Sequence, residues 1–144
     1  MDKLNVEISI EKEYIEKTLK LLDEALSRAE KSSIELSAIG SFLHHCYAGM
    51  ENILNRILKF KKVKIPSSAS SHKNLLNVAV DEDIISQDLS GKLDKYRGFR
   101  HFFIHAYGIF LEEEELQPLA ENLPKVWNQF EQEIEKCIKK KLIL

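Results

Sequence analysis

The stretch IELSAIGSFLHHCYAGMENILNRILKF, residues 34–60, decides the fold. Within it Ile39, Phe42, Leu43, Cys46, Met50, Ile53, Leu54 and Ile57 recur at spacings of three and four, the period of one face of an α-helix. No proline interrupts the run. At about 1.5 Å per residue, about 27 residues predict a rod about 40 Å long, the size of a bundle helix. Ser32 or Ser33 offers an N-cap, with Glu35 near the third helical position.

The same period continues on both sides. Tyr14, Ile15, Leu19, Leu22, Ala25, Leu26 and Ala29 predict a first helix from about Ile8 to Ala29. After the long helix, KKVKIPSSASSH (residues 61–72) holds Pro66 and four serines and reads as a loop. Ser70 or Ser71 caps a short helix over about 71–80, closed by Asp81 to Asp83. A further helix begins near Asp83 to Ser86 and runs through Asp88, Leu89, Leu93 and Tyr96 towards Tyr107, with Gly108 as its stop. Glu112 to Glu115 open the last helix, where acidic residues suit the N-terminal dipole. Pro118 lies early enough to be tolerated, whereas Pro124 is expected to break or kink the helix before the stripe Val126, Trp127, Phe130, Ile134, Cys137 and Ile138. The expected fold is all-α: one domain over residues 1–144, an up-down four-helix bundle with a short extra helix in the long connection. Composition agrees, since 5 glycines and 3 prolines leave few tight turns for a β fold.

Charge narrows the function. The chain carries 21 basic and 23 acidic residues, net −2, which argues against a generic basic nucleic-acid coat. The balance is uneven: residues 92–107 hold four bases and one acid, and residues 111–121 hold five acids and no base. The N-terminal residues show no apolar signal core, and the longest uncharged stretch, Leu36 to Met50, is too short and too polar for a membrane span. A cytoplasmic protein with no membrane association is expected. Cys46 and Cys137 have no metal-type spacing and read as buried thiols in a reducing compartment.

The sequence KYRGFRHFFIHAYG, residues 95–108, is where chemistry concentrates. On a helical wheel with Arg97 at zero, Phe99, Phe102, Phe103, Ala106 and Phe110 fall between about 140° and 240°, an aromatic core face. Arg97, His101, Ile104, His105 and Gly108 fall opposite, between about 340° and 80°, with Arg100 at about 300° and Tyr107 at about 280°. Guanidinium binds phosphate through a planar fork, and imidazole moves protons near neutral pH. His101 and His105 are four apart, a zinc-compatible spacing, but no third ligand accompanies them, so no metal is expected. Adjacent His44 and His45 point in different directions, one of them towards the core or a neighbouring helix, and Glu51 is placed to orient a cleft arginine. His72 and the serine loop carry no signal beyond flexibility.

Arg100, His105 and Tyr107 together read R-x4-H-x-Y. With LHHCYAGMENILNRI (Leu43 to Ile57), FRHFFIHAYGIFL and LQPLAENLPKVW, this resembles the HEPN superfamily and, within it, the HepT-like toxins, over roughly residues 10 to 140. The resemblance implies a HEPN-like helical bundle that dimerises with the R-x4-H helices facing across a cleft. It implies the toxin of a type VII-like HEPN/MNT toxin–antitoxin system, a metal-independent endoribonuclease with Arg100 and His105 as catalytic residues and no cofactor. Its partners would be RNA, a second copy, and an MNT-type nucleotidyltransferase antitoxin in a hetero-oligomer. That antitoxin would transfer AMP to Tyr107 and silence the toxin. The family usually has a polar residue, often asparagine, after the arginine; here His101 stands there, and His101 and Arg97 are candidate substrate contacts. In physical terms, His105 would move the proton of the attacking 2′-hydroxyl and Arg100 would hold the phosphate charge. The two point about 140° apart on one helix, so facing copies of it would have to complete the site. The alternative is a non-catalytic helical module that partners, or presents substrate to, a nucleotidyltransferase.

Overall fold

Ser32 caps the long helix. Its hydroxyl accepts a bond from the Ile34 N–H at 3.2 Å, and Glu35 accepts one from the Ser32 N–H at 2.9 Å, a complete capping box. The computed structural model describes residues 2–66, 71–104 and 111–142. They form α1 (Asp2–Leu26), α2 (Ser33–Phe60), α3 (Ser71–Asp81), α4 (Gln87–Phe102) and α5 (Glu113–Cys137), which passes into a π-helical turn, Ile138–Leu142. No strand occurs among the described residues. The fold is all-α, as the periodicity predicts.

Contacts along the helices give the topology. Arg56 pairs with Glu7 and Glu11, the Cys46 thiol lies 4.0 Å from the Ile15 carbonyl, and Gly49 abuts Ile15, so α1 and α2 run antiparallel. Lys12 meets Glu131 and Glu135, setting α5 antiparallel to α1. Ser86 meets Glu133, and the Tyr96 hydroxyl donates to the Leu119 carbonyl at 2.7 Å, setting α5 antiparallel to α4. The four long helices thus alternate in direction, and α3 sits in the α2–α4 connection. Their shared core includes Leu43, Ile53, Leu54, Ile57, Leu76, Leu93 and Phe130. Burying one such side chain fully is worth about 1.5–3 kcal/mol.

Helix ends follow local chemistry. α2 closes in a Schellman motif: Val63 N–H bonds Leu58 O at 2.9 Å, Lys62 N–H bonds Lys59 O at 3.0 Å, and Lys62 takes φ 59°. α3 closes the same way, with Ile84 N–H on Ala79 O at 2.9 Å and Asp83 at φ 57°. Ser86 caps α4, accepting from the Leu89 N–H at 3.1 Å.

Three expectations are corrected. α1 starts at Asp2 rather than near Ile8, because Leu4 extends the buried row Ile8, Ile15 and Leu22 by one more turn. Tyr14 lies outside that row and is 71% exposed. Pro124 does not break the last helix, since α5 is continuous through both Pro118 and Pro124. Both proline rings are exposed, while Leu116, Ala120, Leu123, Val126, Trp127 and Phe130 hold the opposite face in the core. Packing on that scale outweighs the roughly 3 kcal/mol cost of an interior helical proline.

Candidate active site

α4 carries the charged motif, and Leu89, Leu93 and Tyr96, all buried, set its rotation. On the same wheel these three fall at about 280°, 320° and 260°. Arg100, at about 300°, therefore projects from the buried side of the helix. The expected outward face is only half realised: His101 and Ile104 are exposed, but Arg97 and Arg100 are partly buried. The aromatic block does not define the core face, because Phe99, Phe102 and Phe103 are each partly exposed. Phe103 and Ile104 already adopt π-helical geometry. His105 and Tyr107 lie outside the described residues.

α2 supplies the wall opposite α4. Gly40, His44, Tyr47 and Glu51 form one stripe at helical spacing. Phe103, Arg100 and Arg97 run antiparallel against it. A Cβ on Gly40 would come within 3.0 Å of the Phe103 ring, so this glycine permits close approach. The His44 and Phe103 rings are 5.8 Å apart, and Phe103 stacks on Phe99 at 5.8 Å. The Arg100 charge acts on both His44 and Tyr47, and Arg97 acts on Tyr47 and Glu51. Of the two adjacent histidines, His44 is the one that faces α4, while His45 is exposed.

Glu51 anchors this stripe. Its carboxylate is buried and accepts from His72 Nδ1 of α3, at 3.1 and 3.0 Å from its two oxygens. The buried Tyr47 hydroxyl lies beside Glu51 without completing a well-aligned hydrogen bond; burial first, and then the Glu51 charge, push its phenol far above the usual range. Arg97 Nε donates to Asp94 at 2.6 Å, and Lys73 of α3 lies 3.1 Å from the same carboxylate. The Arg97 hydrogen bond holds the Asp94 carboxyl below its ordinary range, and the same bond raises the guanidinium. Burial lowers the His44 imidazole below 6.5, and the nearby His45 and Arg100 lower it further.

Arginines on the helices are treated unequally. Arg56 and Arg97 each pair with carboxylates. The Nε atoms of Arg56 and Arg100 are both buried without a hydrogen-bond partner, but Arg56 is ion-paired through its other nitrogens, whereas no ion pair to Arg100 occurs among the described residues. Such a donor is short of an acceptor, which is the state of a group kept for an anion. No group of three or more His, Cys, Asp or Glu side chains suited to a metal occurs among the described residues. Cys46 and Cys137 are both buried and form no disulfide, and burial pushes the Cys46 thiol up to about 12, which makes it a packing residue.

Sequence reasoning finds the α4 motif and singles out Glu51, but it misses Tyr47 and His72. Tyr47 lies outside the apolar stripe read for α2, next to Cys46. The His72–Glu51 contact joins two elements across the serine loop, and no local spacing encodes it. The carboxylate beside an arginine is Glu51 near Arg97, not near Arg100.

Among the described residues, no helix is long and apolar enough to cross a membrane. Comparison with curated proteins gives no match. Among solved structures, the chain is similar to YutE from Bacillus subtilis, a cytosolic protein of unknown function, with a TM-score of 0.78 at 19% identity over 96% of this chain and 92% of that one. That likeness establishes the bundle. A family model described as HepT-like protein matches residues 38–141, which include most of α2, all of α4 and the whole R-x4-H-x-Y motif. The chain belongs to the HepT-like protein family.

Proposed function

We propose that the chain is the toxin of a type VII-like HEPN/MNT toxin–antitoxin pair and a metal-independent endoribonuclease. The observation that carries this reading is Arg100: a guanidinium inside the family motif, held on the α2-facing side of α4 with its Nε unpartnered. In the reaction, the ribose 2′-oxygen attacks the adjacent phosphorus and loses its proton to an imidazole. The P–O5′ bond breaks, and the departing O5′ takes a proton from an imidazole. His105 fills these proton-transfer roles, and Arg100 neutralises the charge that builds on the non-bridging oxygens. A homodimer supplies both groups from each of two facing helices. Arg97, oriented by Asp94, and the exposed His101 at the same end of α4 make further contacts along the RNA strand in this reading. The partner is an MNT-type nucleotidyltransferase that transfers AMP to Tyr107, setting a phosphate where it competes with substrate.

Expression of the chain alone tests this reading. Growth arrest is expected, with relief in the Arg100→Ala, His105→Ala double variant. Intact-mass measurement after incubation with the neighbouring nucleotidyltransferase and ATP should show added AMP that is absent from Tyr107→Phe. Normal growth with the wild-type chain, or an unmodified Tyr107, contradicts it.

A further inference from the structure

Two histidines of the molecule sit in opposite electrostatic settings. His72 has the buried Glu51 carboxylate as its hydrogen-bond partner, 3.0 Å from Nδ1. His44 has none: its Nδ1 is buried without a partner, and its charged neighbours are His45, with ring centroids 5.4 Å apart, and Arg100. His45 is exposed beside it, and Arg100 Nε is also unpartnered. His44 thus lies between Arg100 on α4 and His45, which itself lines the groove towards α1 with Glu11 and Tyr14. A buried polar nitrogen without a partner costs free energy, and the nearby Arg100 charge disfavours a second positive charge on His44. An oxyanion entering from the exposed His45 side removes both penalties at once.

We propose that His44 and His45 form a phosphate subsite beside Arg100, taking the internucleotide phosphate that flanks the one Arg100 holds. This rests on the ribonuclease reading above for the identity of the anion as RNA backbone. The subsite aligns RNA along the N-terminal half of α2, so that the strand crosses from α2 onto α4 at the motif. The depressed basicity of His44 accords with it, since the free site resists a further positive charge until an anion arrives.

Two measurements test the subsite. The first titrates inorganic phosphate into the wild-type protein and follows assigned histidine ring resonances by NMR. Saturable displacement of His44 and His45 is expected, with His72 unmoved because Glu51 already holds it. No displacement at His44, or one that only parallels His72, overturns the subsite whether or not the chain cuts RNA. The second compares His44→Gln with wild type on an RNA substrate. KM should rise about tenfold, the loss of one charge-assisted hydrogen bond, with a smaller change in kcat. A phosphate response with unchanged KM overturns the assignment to RNA backbone. Saturable phosphate binding by a chain that cuts no RNA counts against the ribonuclease reading and leaves the anion site standing.

Discussion

Glu51 is a carboxylate whose side chain is only 7% exposed, and His72 is its hydrogen-bond donor from α3. Removing the donor leaves a buried acceptor unsatisfied, at a cost of about 1–3 kcal/mol. His72→Ala should lose that much in urea unfolding, and adding Glu51→Gln should recover part of it. An unchanged midpoint for His72→Ala would show that the pair does not staple α3 to α2. His44 gives a pH signature. Its pKa is depressed in the folded state, so the unfolded chain binds the extra proton. Its contribution to stability is therefore complete above about 6.5, the unfolded value, and is lost as pH falls from there towards the folded value. His44→Gln should flatten that segment of the stability–pH curve; an identical slope in the variant contradicts the shift. At this scale the sequence names Arg100, His44 and Glu51 but misplaces the first. Aromatic residues dominate the wheel numerically, yet the rotation of α4 is set by Leu89, Leu93 and Tyr96, one to three turns earlier.

Helices were the most legible level, because each long one carries a core stripe with a period near 3.6. Their ends and breaks depend on packing that a local reading cannot see. Leu4 extends α1 to Asp2, and Lys62 and Asp83 close helices in a left-handed conformation without glycine. Pro124 is the sharpest case, a helix breaker carried on the solvent side of a well-buried helix. Pro124→Ala should restore an N–H for the Ala120 carbonyl and raise unfolding stability by about 1–3 kcal/mol. A loss of stability in thermal or urea unfolding would mean that α5 is shaped around the proline ring.

The whole molecule carries a net charge of −2 with its charges segregated. Acids at the start of α5 and along α1 balance Arg97, Arg100 and His44, which gather between α2 and α4. Val6, Ile10, Tyr14 and Leu21 form an exposed apolar row along α1, and the last three line a groove with Phe42 and His45 of α2. The bundle architecture is legible in periodicity and composition, whereas the R-x4-H-x-Y string and the family match give membership of the HepT-like family and leave the chemistry to experiment. One measurement bears most directly on the central claim, that Arg100 and His105 cut RNA without a metal. Purified chain, held in a chelator, is incubated with end-labelled RNA, and wild type is compared with Arg100→Ala and His105→Ala. The account predicts cleavage by wild type to 2′,3′-cyclic phosphate ends and loss of at least about a hundredfold in each variant of unchanged helical content. Cleavage that requires a divalent cation, or full activity in His105→Ala, would contradict it.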